Sequence, residues 1–400
     1  MKSGHLSEYF TGVAAKRLSA VESDIFRSHQ HEFNGVKGLK QLFGSAKQTY
    51  QAKFIYLNDH DDEPPVDDGY LTWYDARENH PNRSEYRLYF PDTLVSQCAA
   101  EGDLLVIGTR PDNSVLVIIA ENDSTISNQI QWLFGLTNLS HSGFSVRGEL
   151  ETDQDRIEFT SRFILENIGI AIESNEENYL ETMLEKFEGS FPNTRIFSEH
   201  ARSTLQDINL EDGLDSAIMA WMEREEILFR TLERYLIADR LSKGFDNDVE
   251  GFLAFSLSVQ NRRKSRVGYA LENHLETIFT DSNIRYSRGK VTENRSKPDF
   301  LFPGQAEYKD PNFNPLHLTM LGVKSTCKDR WRQVLSEANR ISTKHLLTLE
   351  TAISNNQTEE MRFQRLQLVI PRSLHSTYTP KQQAWLMDLT EFVEYLRQYQ

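Results

Sequence analysis

The stretch LTMLGVKSTCKDRWRQVLSEANRIS, residues 318–342, decides the fold. It opens with an apolar run that reads as a strand, LTMLGVKS, carrying Lys324 near its end. A short polar turn follows, and then DRWRQVLSEANRIS with apolar residues at helical spacing. Working outward, PDFLFP (298–303), HLLTLET (345–351) and LQLVIP (366–371) read as further strands. Amphipathic stretches predict helices over 217–241, 268–279 and 382–399. Strands alternating with helices in this order predict an α/β domain, a mixed sheet flanked by helices.

The chain is 400 residues long, more than one compact core usually serves, so two domains are expected. Residues 1–150 are β-rich: YRLYF (86–90), DLLVIGT (103–109) and SVLVIIA (114–120) are short apolar runs separated by turn residues. HDDEPPVDDG (60–69) reads as an acidic loop. Residues 151–205 read as an acidic connector, and 206–400 as the second domain. Cys98 and Cys327 are the only cysteines, which leaves no disulfide framework and fits a reducing cytoplasm. No apolar run approaches the length that crosses a bilayer, so a protein of the cytoplasm, without a membrane partner, is expected.

Charge is unevenly placed. The whole chain holds 44 Lys and Arg against 59 Asp and Glu, yet residues 260–345 hold 16 against 9. A basic segment in an acidic protein is either a solvated mixed surface or the footprint of a polyanion. Within it, Asp299 starts one apolar strand, Lys324 ends another, and Glu337 lies in the predicted helix that follows. Two carboxylates and a lysine at strand ends meet the needs of metal-assisted phosphodiester hydrolysis. Mg²⁺ takes hard oxygen ligands, and the lysine can orient water and offset charge on phosphorus.

Lys328, Asp329 and Arg330 follow directly. Arg donates twice to guanine O6 and N7, and Asp accepts from the cytosine amino group, so these residues suit G·C reading in the major groove. They equally fit an ordinary helix N-terminus, where Asp329 favours the dipole. NRRKSR (261–266) places Arg262, Arg263, Lys264 and Arg266 just ahead of a predicted helix, a cluster suited to backbone phosphates. In that helix Glu272 and Glu276 stand four apart on one face.

FLAFSLSVQNRRKSRVGYALENHLETIF, KPDFLFP, VKSTCKDRWRQVLSEANRI and LVIPRSLHSTY, taken in order, resemble the catalytic half of EcoRII-type restriction endonucleases over roughly 211–378. The resemblance implies a restriction-endonuclease-like core of the PD-(D/E)XK kind, with Asp299, Lys324 and Glu337 catalytic. Asp299, Glu337 and a supporting Glu272 would be the metal-binding positions, with Mg²⁺ as cofactor. Lys328, Asp329 and Arg330 would read bases. One departure stands out: the acid usual two residues before the lysine is replaced by Gly322, and the family takes that carboxylate from the following helix, here Glu337.

KRLSA (16–20), SHQHEFNG (28–35) and WYDARENHPNRSEYR (73–87) resemble the same family's B3-like pseudobarrel, an effector domain that binds a second DNA copy. Lys16, Arg17 and His29 would form one arm, and Arg77, Arg83, Glu85 and Arg87 the other, the last three odd-numbered positions sharing a face if extended. The resemblance thus implies a type IIE, effector-activated restriction endonuclease. It would be a homodimer cutting double-stranded DNA at a short palindrome with CC and GG flanks, leaving 5′-phosphates, with a cognate DNA methyltransferase in the host. The alternatives are a sequence-specific DNA-binding or regulatory protein on an inactive nuclease scaffold, and a nicking or repair endonuclease.

Overall fold

The computed structural model describes residues 4–23, 31–35, 37–61, 63–80, 82–137, 139, 143–172, 179–205, 208–327 and 330–400. They form two compact units, 1–172 with 352–357, and 173–351 with 358–400. The stretch expected as a connector is shared between them, because each part carries apolar residues for its own unit's core.

The first unit is built on eight strands: β1 Gly12–Arg17, β2 Glu32–Asn34, β3 Gln48–Leu57, β4 Val66–Asp75, β5 Tyr86–Tyr89, β6 Leu104–Thr109, β7 Val115–Ala120 and β8 Ser145–Arg147. Their order is β2-β5-β4-β3-β7-β6-β1-β8, antiparallel except for the parallel pair β3 and β7. Successive residues of β6 and β7 enter different cores. Leu104, Val106, Leu116 and Ile118 pack on one side with Ile126, Ile130 and Leu133 of α2 (Thr125–Leu133) and Ile164 and Leu165 of α3 (Phe159–Asn167). Leu105, Ile107, Val117 and Ile119 pack on the other with Phe33, Phe54, Leu71, Trp73 and Leu88, and with Leu39 and Phe43 of α1 (Lys37–Phe43). Both faces are buried, which is why these strands read as unbroken apolar runs rather than alternating ones. The acidic loop expected over 60–69 is partly strand: β4 begins at Val66, its first five residues exposed or half-exposed, so burial leaves no apolar pattern there.

The second unit carries a five-stranded mixed sheet: β9 Ser287–Arg288, β10 Phe300–Phe302, β11 Thr319–Lys324, β12 Lys344–Thr348 and β13 Leu366–Val369, in the order β13-β12-β11-β10-β9. β9, β10 and β11 run antiparallel, while β11, β12 and β13 run parallel. Helices α4 (Leu180–Phe187), α5 (Thr194–Ser203), α6 (Leu214–Lys243) and α7 (Val249–Asp281) precede the sheet, α8 (Trp331–Leu335) links β11 to β12, and α9 (Leu389–Arg397) closes the chain. Phe279 of α7 meets Phe300 and Phe302 edge-on at 5.2 and 5.1 Å, and Phe392 of α9 meets Phe302 at 5.9 Å. The mixed sheet flanked by helices is as the pattern of elements predicts. Among the described residues no helix is long and apolar enough to cross a membrane.

Three helices differ from expectation. α7 is one helix from Val249, so NRRKSR lies inside it rather than ahead of it. The helix after β11 keeps only Trp331–Leu335, and Glu337 falls in the turn beyond. The C-terminal stretch is interrupted because Asp388 caps a new helix: its side chain accepts from the Glu391 amide and the Glu391 side chain from the Asp388 amide.

Candidate active site

The antiparallel pairing of β10 and β11 sets Phe300 opposite Leu321, so Asp299 and Lys324 arrive at adjoining strand ends. Asp299 Oδ2 accepts from the Val323 amide at 2.6 Å and from Lys324 Nζ at 3.1 Å. Lys324 Nζ also donates to the Val323 carbonyl at 3.0 Å. Both side chains keep some exposure, 25% for Lys324 and 19% for Asp299, so the pair faces an opening while remaining largely desolvated. Charge-assisted contacts in such a place are stronger than at an open surface.

Gly322 explains how the third member arrives. A Cβ at this position would lie 2.9 Å from Val334 Cγ2 on α8, closer than atoms tolerate. The glycine therefore lets α8 lie directly against β11, and the chain leaving α8 places Glu337 in the field of Asp299. Burial, and next the negative Asp299, push the Glu337 carboxyl up to about 7, while Lys324 and Lys344 pull the other way. Lys344 is itself buried, donates to the Ile341 carbonyl at 2.9 Å, and has its ammonium pulled below the usual lysine range by burial.

Glu272 on α7 completes the group. Burial and then Asp299 raise its carboxyl above the usual range, with Arg288 opposing. Arg288 on β9 holds it through Nε at 3.2 Å and Nη2 at 3.0 Å, and also binds Glu276 and Asn273, each at 2.8 Å. The structure thus brings Asp299, Lys324, Glu337 and Glu272 into one electrostatic neighbourhood. Among the described residues, no three His, Cys, Asp or Glu side chains stand close enough to hold a metal ion by themselves. Mg²⁺ does not require three, since it binds through one or two carboxylates with phosphate and water completing the shell.

Sequence reading missed Arg288, Lys344 and Glu350. The Cys327 amide donates to Glu350, which ties the turn after Lys324 to the end of β12. An arginine four residues from any acid gives no hint of a bidentate clamp on a helix 16 residues back, so only the fold discloses it.

The remaining candidates scatter. Arg330 is exposed, and its amide donates to the Cys327 carbonyl at 2.8 Å; Lys328 and Asp329 lie outside the described residues. The NRRKSR cluster departs from the phosphate-binding expectation. Arg266 is buried, paired with Glu226 of α6 and stacked 4.0 Å over Phe229; Arg263 pairs with Glu233 at 2.7 Å; Arg262 lies 4.4 Å over Phe191. These three cations neutralise acids or cover rings inside the unit, and Arg266 is out of reach of a phosphate as it lies. Lys264 is exposed.

In the first unit, Lys16 is buried and ion-paired with Glu22 at 2.6 Å, and Arg17 donates to the Gly102 carbonyl, Asn122 and Ser127. Their charge serves the fold, contrary to the exposed arm expected. His29 lies outside the described residues. Glu85 pairs with both Arg77, at 2.5 Å, and Arg87, which also donates to Asn34 at 2.6 Å. β5 begins at Tyr86, so Arg83, exposed, and Glu85 precede the strand instead of sharing its face with Arg87.

Comparison with known proteins places this site. Residues 229–393 match the family described as EcoRII C terminal. The type II restriction enzyme EcoRII of Escherichia coli is 38% identical over 226 residues, covering 56% of this chain and 55% of that enzyme. The chain thus spans about half the length of this relative. Two solved structures resemble it in part. Metal-depleted Ecl18kI in complex with uncleaved, modified DNA gives a TM-score of 0.45 at 16% identity, covering 57% of this chain and 85% of that one. The complex of restriction endonuclease PspGI with substrate DNA gives 0.44 at 17% identity, covering 52% and 93%. Residues 229–393, which contain Asp299, Lys324, Glu337 and Glu272, are an EcoRII C-terminal domain.

Proposed function

We propose that this protein is a type II restriction endonuclease of the effector-activated kind, hydrolysing double-stranded DNA at a short palindrome with CC and GG flanks. The observation that carries the reading is the Asp299–Lys324 contact of 3.1 Å at two adjoining strand ends, with the Glu337 carboxyl in the same field. Asp299 and Glu337 would hold Mg²⁺, with Glu272 in support. The donor set fits, because these are hard oxygens whose mutual repulsion keeps two carboxyls partly protonated, a surplus that a divalent cation would remove. Bound there, Mg²⁺ would polarise the phosphoryl group and acidify a water.

The chain's own residues supply the rest. Lys324 orients the attacking water and offsets the negative charge that builds on phosphorus. The Val323 amide and Lys324 together fix Asp299, and Arg288 fixes Glu272, so the carboxylates are set before substrate arrives. Water oxygen bonds to phosphorus as the bond to the 3′ oxygen breaks; the 3′ oxygen takes a proton and the phosphate remains on the 5′ end. Lys328, Asp329 and Arg330, directly after the catalytic strand, read G·C pairs, which would couple recognition to cutting. The first unit is then a B3-like effector domain that engages a second DNA copy, and two copies of the chain match the two-fold symmetry of the site. A host would need a cognate methyltransferase.

Plasmid incubated with the protein and Mg²⁺ tests this. The expected result is double-strand cleavage at one sequence, with ends that ligate without added kinase. Single-strand nicks would favour a nicking or repair enzyme, and specific retention without cleavage would favour a binding protein on an inactive scaffold.

A further inference from the structure

From Arg234 on α6 to Ser265 on α7, no residue is buried. This hairpin has a small closure of its own: Phe245 packs on Phe252 at 5.5 Å and Phe255 at 5.4 Å, under Arg240 at 3.9 Å. Its outer side stays uncovered. Val249 (65% exposed), Leu253 (46%) and Leu257 (57%) recur every four residues along α7, with Leu241 (56%) nearby on α6. Apolar side chains spaced this way form a stripe on one helix face. Elsewhere the second unit buries its large apolar residues efficiently, so a concentration of exposed ones marks a surface that another molecule covers.

The charges beside the stripe say which molecule. Asp246, Asp248 and Glu250 sit at its beginning, and Lys264 at its end. Glu250 and Lys264 are each seven residues from Leu257, and at about 100° per residue they point within roughly 40° of one another. A two-fold axis through Leu257 therefore sets Glu250 of one copy against Lys264 of the other, twice, with the leucines meeting at the centre. Such an isologous contact is self-complementary. The acidic start argues against a nucleic acid on the same face.

We infer that this stripe is where a second copy of the chain docks, with the two α7 helices antiparallel. The inference deepens the reading above only in the pairing of two copies; Lys324 chemistry does not depend on it. It also gives Lys264 a role other than phosphate contact.

Sedimentation velocity of the full chain without DNA, over a concentration series, tests it. The chain is expected to dimerise, and Leu253→Asp with Leu257→Asp to give monomer at concentrations where the parent is dimeric. Glu250→Lys alone, and Lys264→Glu alone, are each expected to weaken the dimer about tenfold, since each puts like charges together twice. The double variant Glu250→Lys, Lys264→Glu restores the pairs and is expected to recover affinity to within about threefold. A parent that stays monomeric, single reversals without effect, or a double variant no better than the singles would each overturn the proposal. Cleavage lost on Lys324→Ala in a protein that stays monomeric would leave the nuclease reading standing and remove only this one.

Discussion

Lys324→Ala is expected to lower DNA cleavage by about a thousand-fold while specific binding changes by less than about tenfold. Lys324 Nζ sits 3.1 Å from Asp299 Oδ2 at the strand end, where it can hold a water and stabilise charge developing on phosphorus. Removing one such donor from a desolvated site costs about 3–4 kcal/mol of transition-state stabilisation, and little of that is ground-state affinity. Single-turnover cleavage, with filter binding in Ca²⁺ as the companion measurement, separates the two effects. Cleavage within tenfold of the parent would remove Lys324 from the reaction.

Glu337→Gln is expected to be as damaging to cleavage and to change stability in the opposite sense. The Glu337 carboxyl is pushed up to about 7 by burial and by Asp299, against a carboxyl of about 4.3 in an unfolded chain. Between those values the folded protein binds the proton and the unfolded chain does not, so the group's contribution to stability falls as pH rises from about 4.5 through 7. Above pH 7 the metal-free protein keeps the full penalty. Glu337→Gln removes the charge and is expected to stabilise the metal-free protein at pH 8 by on the order of 2 kcal/mol, roughly 5 °C in the unfolding of its domain, with little change at pH 4. For the parent, cleavage at fixed Mg²⁺ is expected to rise between pH 6 and pH 8 as this carboxyl ionises. Melting curves at the two pH values check the first part. Equal pH dependence in parent and variant would contradict it.

How far the sequence discloses all this differs from element to element. β10, β11, β12 and β13 are legible because each is a short apolar run bounded by turn residues and buried on both faces. Asp299 and Lys324 are legible for the same reason: charges next to such runs can only stand at strand ends. Glu337 is harder, since its role depends on how closely α8 approaches β11, and that approach is set by Gly322 meeting Val334 across the sheet. The basic cluster at 261–266 misleads because a cation's partner is remote in sequence; Glu226 is 40 residues from Arg266. Lys16 misleads likewise, as nothing around it shows that its strand faces a core. α7 looks like a short helix because its first half is exposed and has no polar face to contrast with its apolar stripe.

The central claim is that Asp299 and Glu337 share one divalent cation beside the scissile phosphate. Anomalous scattering from Mn²⁺ in crystals of Lys324→Ala with cognate duplex tests it directly. A peak lying between the two carboxylates, within about 2.5 Å of an oxygen of each, is the expected result. A peak elsewhere, or Glu337 turned away from Asp299 with the metal bound, would contradict the account.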